Sequence, residues 1–163
     1  NKQIVDKTAD RFFFVWDPRK VEIVGTDSIE AHCPLHPDHK DLGCRDHSLS
    51  APLSVYMTAD DLEGFKQRGT VRLKDLCNLR WDGEKAVYAG NDIAVLKEGW
   101  KIAHWAPPTS APAEVFLPDG SSRKGVAEPM PPKQEGRVVQ FERFGFARIE
   151  SLVPEVRAFF AHN

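Results

Sequence analysis

Apolar and polar residues alternate with a period of two along much of this chain. This is the spacing of a strand that buries one face. The clearest case lies within residues 137–150, where Val139 and Phe141 share one face and Gln140 lies on the other. Phe144-Gly145 interrupts the alternation, which then resumes. The pattern therefore predicts a β-hairpin over residues 137–150.

Similar patterns predict about eleven short strands in all, with an Asp-Gly turn signal at Asp82-Gly83 and another at Asp119-Gly120. One short helix is predicted over residues 59–65, with Thr58 as its cap. Many short strands with regular turns are typical of an all-β sandwich or a pair of barrels. Residues 151–163 are either a final strand or a loose tail. The predicted strands are 11–16, 21–24, 29–33, 53–57, 71–81, 84–89, 101–105, 113–117, 123–127, 138–143 and 146–149.

The composition limits the possible functions only loosely. The chain has 163 residues and a formal net charge of −2, so any nucleic-acid binding must use a local basic patch. There is no apolar run near the roughly 18 residues that a membrane helix needs, so no membrane association is expected. Three cysteines without close pairing fit a reducing, cytoplasmic setting. The first residue is Asn1 rather than Met, which suggests a fragment or a processed product.

Two groups of residues suggest catalytic or metal chemistry, and neither matches a known pattern well. Zinc sites usually pair their ligands in two tight knuckles, and the histidines and cysteines of residues 32–47 lack that spacing, so no metal is expected. Cys77 falls within a predicted strand, where a packed thiol is the commoner interpretation. No phosphate-binding glycine loop is present. The candidate ligands are His32, Cys33, His36, His39, Cys44 and His47.

Basic residues on one predicted strand suggest RNA binding. Arg72, Lys74 and Arg80 share a face of strand 71–81, and residues two apart on a strand lie roughly 6.5–7 Å from each other, near the phosphate spacing of a nucleic-acid strand. Lys66 and Arg68 precede them in a predicted exposed loop. Basic strand faces are usually only solvated, which is the commoner explanation of such a pattern taken alone.

Six motifs in order, over about 140 residues, together resemble the C-terminal anticodon-binding region of the class I glutamyl- and glutaminyl-tRNA synthetases, most closely the archaeal glutamyl enzymes. The ending Phe159-Phe160-Ala161-His162 is also similar to archaeal members. The motifs are Arg11-Phe-Phe-Phe-Val-Trp-Asp-Pro18, Pro34-Leu-His-Pro37 with Gly43-Cys-Arg45, Val71-Arg-Leu-Lys-Asp-Leu76, His104-Trp105, Gly125-Val-Ala-Glu-Pro129 and Gln140-Phe-Glu-Arg-Phe-Gly-Phe146.

The resemblance implies an all-β fold of two small six-stranded-type β-barrels, similar to ribosomal protein L25, with strands exchanged between them. Residues 10–65 and 131–150 would form the first, proximal barrel, residues 66–130 the second, distal barrel, and residues 151–163 a C-terminal tail. One barrel would be inserted in the other, so that the N-terminal and C-terminal segments lie together. The family carries the histidine-rich hairpin without metal.

The resemblance also implies which residues contact RNA. Arg11 and Gln140 match the pair that reads the central anticodon uridine, and Arg143 belongs to the same motif. Strict alternation would place Gln140 and Arg143 on opposite faces, so a bulge or the turn must bring them together. The full implied set is Arg11 and Gln140 with Arg143, Arg72 and Lys74 near the first anticodon base, and Lys66 or Arg68 for the third.

The implied role is to bind the anticodon loop of tRNA(Glu) within a glutamate-tRNA ligase. The motifs of the catalytic domain are absent, so no catalytic residue and no cofactor is expected here. The parent would use ATP and Mg²⁺ in a catalytic domain of the same chain, which is the second expected partner. Two alternatives stay open: a glutaminyl or dual-specificity ligase, and a β-barrel interaction domain that binds no RNA.

Overall fold

The computed structural model describes residues 8–163. Within them the chain is mostly β-structure, and it divides into two compact units. Unit 1 comprises residues 8–17, Pro34–Cys44 and Thr109–Asn163, and unit 2 comprises Pro18–Cys33 and Arg45–Pro108. The strands are β1 Arg11–Phe12, β2 Phe14–Trp16, β3 Pro18–Val24, β4 Ser28–Pro34, β5 Cys44–Ser50, β6 Leu53–Thr58, β7 Thr70–Leu73, β8 Cys77–Trp81, β9 Ala86–Tyr88, β10 Ile102–Ala103, β11 Ala111–Phe116, β12 Ser122–Ala127, β13 Val138–Phe141, β14 Gly145–Ser151 and β15 Val156–His162.

Unit 1 contains a seven-stranded sheet in the order β1-β13-β14-β15-β11-β12-β2. Its two edge strands are consecutive in sequence and are separated only by Phe13. β1 pairs in parallel with β13, and β2 pairs antiparallel to β12. One short segment therefore supplies both edges, which requires the sheet to curl until its edges approach. This also brings the N-terminal segment against strands from the C-terminal third, as the resemblance implies.

The curled sheet buries an apolar core on one face. Phe12, Phe14 and Phe141 are fully buried there. The ring centroids of Phe14 and Phe141 are 5.4 Å apart. The remaining buried members of this core are small or branched, which suits the close approach of strands in a curled sheet. They are Ala113, Val115, Ala127, Val139, Ala147, Ile149, Val156 and Ala158.

Unit 2 contains a six-stranded sheet in the order β10-β7-β8-β9-β3-β6 and the two-stranded hairpin β4-β5. β3 alternates in burial as the sequence predicts, with Val21 and Ile23 inside. β6 is buried along almost its whole length, with only Tyr56 half-buried, so its burial does not alternate as its sequence pattern predicts. The helix α1, Ala59–Arg68, follows β6 directly and buries Phe65. Its edge-on contact with Trp81 of β8, at 5.6 Å between ring centroids, packs the helix against the sheet.

The ends of α1 are set by its own sequence. The hydroxyl of Thr58 accepts a hydrogen bond from the Asp61 amide at 3.0 Å, which caps the first turn. At the other end Gly69 adopts φ 79°, and its amide donates to the Phe65 carbonyl. The predicted cap is thus confirmed. The helix runs three residues beyond the predicted 59–65, so the prediction that Lys66 and Arg68 lie in a loop is wrong.

Three strand predictions are also corrected. Residues 71–81 form a hairpin, because Asp75 has φ 57° and residues 74–76 turn the chain between β7 and β8. The strand β5 lies where no strand is predicted, between the predicted strands 29–33 and 53–57, and it pairs only with β4. Residues 101–105 contribute only the two-residue strand β10.

The observed units follow different bounds from the barrels expected at 10–65 plus 131–150 and at 66–130. Residues 18–33 pair with partners in unit 2, because β3 lies between β6 and β9. Residues 109–127 belong to unit 1 through β11 and β12. The segment 151–163 takes the strand alternative, with β15 inside the seven-stranded sheet. The L25-like barrel architecture itself stays a prediction.

Among the described residues, no helix has both the length and the apolar character needed to cross a lipid bilayer.

Candidate functional site

Arg11 and Gln140 occupy matching register positions on the neighbouring parallel strands β1 and β13. Directly paired residues point to the same face of a sheet, and both of these are half-buried. The next pair, Phe12 and Phe141, is fully buried in the core on the opposite face. Alternation in the sheet therefore directs a guanidinium and an amide away from the core, side by side.

The guanidinium of Arg11 is held next to an acid. Its Nη1 lies 3.8 Å from Oε1 of Glu142, whose side chain is only 8% exposed. The Nε atom of Arg11 is buried and has no hydrogen-bond partner among the described residues. A buried donor without an acceptor costs free energy, and such groups recur where a ligand completes the bonding. Arg11 is thus oriented by Glu142, and its buried Nε is without an acceptor among the described residues.

Arg143 lies in the three-residue turn between β13 and β14. Its φ of 62° falls in the left-handed region, where residues other than glycine and asparagine are uncommon. β13 ends at Phe141, so the predicted extension of this strand to Arg143 is wrong. Because Arg143 lies on the turn, strict alternation no longer assigns it to the face opposite Gln140. The predicted hairpin itself is confirmed, with Gln140 paired to Phe146.

Arg143 lines a concave pocket in unit 1 with a volume of about 340 Å³. The rings of Trp16 and Phe144 lie 5.5 Å apart at 47°, and Phe144 meets Phe160 edge-on at 5.9 Å. The lining combines two cations with three aromatic rings and includes no acid. It comprises Trp16, Leu117, Arg123, Arg143, Phe144, Phe160 and Asn163.

Sequence reasoning missed most of this pocket. Arg123, Trp16 and Phe160 come from three separate strands, and only the sheet order brings them near Arg143. Phe144 was recognised only as the residue that interrupts an alternation. The available signal was Phe144 next to Arg143 in the predicted hairpin, a combination that suits stacking on a flat base. Among the described residues, Arg11 and Gln140 are outside this lining.

Arg72 is placed differently from the prediction of an exposed strand face. It is 8% exposed, and its Nη1 donates to Oδ1 of Asn78 at 2.9 Å and to Oδ1 of Asn91 at 3.0 Å. Lys74 lies on the turn after β7, where its carbonyl accepts from the Trp105 indole at 2.8 Å. The predicted row of cations at phosphate spacing along one strand is therefore wrong, and Arg72 is fixed by amides.

Lys66 and Arg68 lie in the last turn of α1. The ammonium of Lys66 sits 5.1 Å from the centroid of the Trp81 ring, a cation–π contact. Lys66 and Trp81 also line a pocket of about 280 Å³ in unit 2. That lining contains Glu22 and Glu84 as well as three lysines, so its charges partly cancel. It favours a phosphate less than the pocket around Arg143 does.

The histidine- and cysteine-rich segment forms no metal cluster. Among the described residues, no three His, Cys, Asp or Glu side chains converge as metal ligands would. His32 pairs instead with Asp46 at 2.6 Å, and this hydrogen bond with the nearby charge raises the pKa of His32. Burial raises the pKa of Cys77 to about 12, which keeps it a thiol at neutral pH. Cys77 is buried in β8, which agrees with the interpretation of Cys77 as a packed thiol rather than a nucleophile.

Comparison with known proteins identifies similar sequences among the tRNA synthetases. A family profile described as tRNA synthetases class I (E and Q), anti-codon binding domain, matches residues 9–97. The chain is similar to glutamate–tRNA ligases of Pyrococcus abyssi, at 37% identity over 100% of this chain and 30% of the relative, and of Thermococcus onnurineus, at 40% over the same shares. The ligase of Archaeoglobus fulgidus is 36% identical over 99% of the chain and 28% of its own length. The chain therefore spans 28–30% of the length of these curated relatives.

Proposed function

Because this chain belongs to the anticodon-binding domain family of the class I tRNA synthetases for glutamate and glutamine, we propose that it binds the anticodon loop of tRNA(Glu) as part of a glutamate–tRNA ligase. The rest of the parent chain would supply the catalytic domain, with ATP and Mg²⁺, and would couple glutamate to the tRNA. The region described here contributes binding energy and identity reading rather than chemistry.

The observation that carries the proposal is the register pairing of Arg11 with Gln140. A glutamine amide offers a donor and an acceptor together, which matches the edge of a uracil. The oriented Arg11 guanidinium can bond to a carbonyl of the same base or stack on its face. We propose that these two side chains read the central anticodon base, and that the aromatic pocket at Arg143 holds a neighbouring base of the loop.

The other predicted contacts receive narrower roles. Lys74, on its turn, and Lys66, over Trp81, are proposed as contacts to the RNA backbone. Arg68 is exposed at the end of α1 and is kept as the alternative to Lys66. Arg72 is proposed to contact the RNA with a guanidinium that the side-chain amides of Asn78 and Asn91 hold in place. Substituting Arg72 should therefore disturb the structure of unit 2 as well as weaken RNA binding.

The test is a double-mutant cycle between protein and tRNA. Arg11→Ala or Gln140→Ala should weaken binding of a tRNA(Glu) transcript by about 1–3 kcal/mol, the range of a well-made base-edge contact. Neither change should further weaken a transcript already altered at the central anticodon base. Arg137→Ala is the matched control, because Arg137 is an exposed arginine of the same unit. Lys74→Ala should weaken both transcripts alike.

Filter binding with transcripts for glutamate, for glutamine and for an unrelated amino acid separates the alternatives. Preference for the glutamate transcript supports the proposed ligase, and equal binding of the glutamate and glutamine transcripts supports dual specificity. Strictly additive losses in the cycle would show that Arg11 and Gln140 do not read the central base. Failure to bind any of the three RNAs would leave the non-RNA interaction domain as the better explanation.

A further inference from the structure

An aromatic pair lies on the outer face of the unit 1 sheet, opposite its core. Val115 of β11 and Ala158 of β15 point inward and are fully buried. Their neighbours Phe116 and Phe159 pair in parallel register and point outward. Phe159 is 43% exposed, although the core does not require a large apolar residue at that position.

The two outer rings are nearly parallel. Their centroids are 5.3 Å apart with an interplanar angle of 28°. Phe14 and Phe144, by contrast, meet edge-on at 88°. The guanidinium of Arg157 lies over Phe116, with its central carbon 4.9 Å from the ring centroid. Arg157, Phe116 and Phe159 thus form a cluster of flat groups in which Phe159 is the exposed ring.

A second arginine lies beside Phe159 on the neighbouring strand. Arg148 of β14 is in direct register with Phe159 of β15, so the two residues are one strand spacing apart, about 4.8 Å. The Arg148 side chain is 57% exposed and its Nη2 lies 3.8 Å from Oε2 of Glu150, a loose and screened ion pair. A phosphate next to Phe159 can compete for that guanidinium.

From this arrangement we propose that the Phe116–Phe159 pair is a second RNA-binding site, which stacks one unpaired nucleobase on Phe159 and binds its phosphate through Arg148. This proposal rests on the RNA-binding role proposed above. An aromatic face gives stacking energy without sequence preference, and an arginine beside it supplies charge. The site is therefore suited to a flexible single-stranded segment of the RNA rather than to a base that must be identified.

The local charges favour an anionic partner over a purely apolar one, and the exposed face of Phe159 favours a nucleobase within it. Arg148 and Arg157 flank the rings. Of the acids on this face, Glu114 accepts a hydrogen bond from the Ser122 hydroxyl at 2.6 Å, and Glu150 faces Arg148.

The test measures binding of the whole 163-residue chain to two RNAs, a tRNA(Glu) transcript and a short oligo(U). Phe159→Ala should weaken both by about 5- to 150-fold, which corresponds to about 1–3 kcal/mol for removing one base-stacking aromatic. Phe159→Trp should restore the affinity to within about twofold, because the indole also offers a flat face. Val153→Ala is the matched control, since Val153 is an exposed apolar residue of the same unit with 79% exposure.

The outcomes separate this proposal from the previous one. Normal binding by Phe159→Ala, together with a loss in Arg11→Ala, would overturn the second site and leave anticodon reading intact. A loss in Phe159→Ala that Phe159→Trp does not restore would indicate structural damage or a protein-docking face, and would also overturn it. Photo-crosslinking of 5-iodouridine in the oligo(U) provides a direct readout, because the crosslinked peptide should contain Phe159. If the unchanged chain binds neither RNA, both proposals fail.

Discussion

Glu128 holds together the point where the unit 1 sheet closes. It is 1% exposed, and its Oε1 accepts a hydrogen bond of 2.6 Å from the amide of Phe13. Its own amide donates to the Phe13 carbonyl at 3.1 Å. Phe13 is the residue between β1 and β2, so this reciprocal pair fixes the chain as it passes from one sheet edge to the other. Glu128→Ala tests whether the carboxylate is what holds that crossing.

The magnitude follows from what the change removes. Hydrogen bonds to charged groups contribute about 1.5–3 kcal/mol, and a buried amide that loses its acceptor costs about 1–3 kcal/mol. Removing a buried carboxylate also relieves its desolvation, which offsets part of the loss. Glu128→Ala should therefore lower the free energy of unfolding by about 2 kcal/mol, or roughly 4–8 °C in melting temperature for a chain of this size.

Thermal melting and hydrogen exchange at the Phe13 amide are the measurements. Exchange at Phe13 should rise in Glu128→Ala, and most of the stability should return in Glu128→Gln, because the amide side chain keeps an acceptor oxygen in place. Unchanged exchange at Phe13 would refute the reasoning. So would a Glu128→Gln variant as unstable as Glu128→Ala, since the negative charge rather than the acceptor would then matter.

Two glycine substitutions and one titration give further tests. Gly125→Ala should destabilise the chain by at least about 2–3 kcal/mol. Its new Cβ would overlap the Val15 carbonyl oxygen and would lie 2.8 Å from the Cα of Trp16. Both are backbone atoms of β2, and they cannot move away without separating β2 from β12. Gly64→Ala should instead stabilise by about 0.5–1 kcal/mol in a melting experiment, since it improves helix propensity and the nearest atom, at 2.8 Å, is the movable end of Arg68. The pKa of His32, measured by NMR titration, should lie above that of an ordinary histidine, and Asp46→Asn should lower this pKa toward the ordinary value. The His32–Asp46 pair stabilises the folded state below the unfolded-state pKa of His32, and this stabilisation is lost as the pH rises through the raised folded-state pKa.

Structural features that depend only on residues close together in the sequence were predictable. The hairpin around Phe144-Gly145 and the Thr58 cap follow from alternation and from capping preferences. The division of residues 11–16 into β1 and β2 at Phe13 could not be predicted in this way, because the group that holds Phe13 is the carboxylate of Glu128, 115 residues further along the chain. An uninterrupted apolar run such as residues 11–16 gives no sign that one strand serves two sheet edges.

The turn at Asp75 was missed for a different reason. The chain reverses there without glycine or proline, and aspartate tolerates the left-handed conformation better than most residues do. Once β7 and β8 are separate strands, the predicted single row of cations no longer exists. The burial of Arg72 could not be predicted from the sequence either, because it depends on a hydrogen bond to Asn91, and no periodic pattern connects these two residues.

The net charge of −2 is a poor guide to RNA binding by this chain. Charges are screened over about 8 Å at physiological ionic strength, so a phosphate senses only the groups close to it. Several carboxylates are engaged by their own turns, as Asp82 is by the amides of Glu84 and Lys85 and Asp119 by that of Ser121. The pocket at Arg143 has two arginines and no acid in its lining. Its local charge is therefore positive, and this local value, together with the adjoining aromatic rings, determines whether a nucleotide binds there.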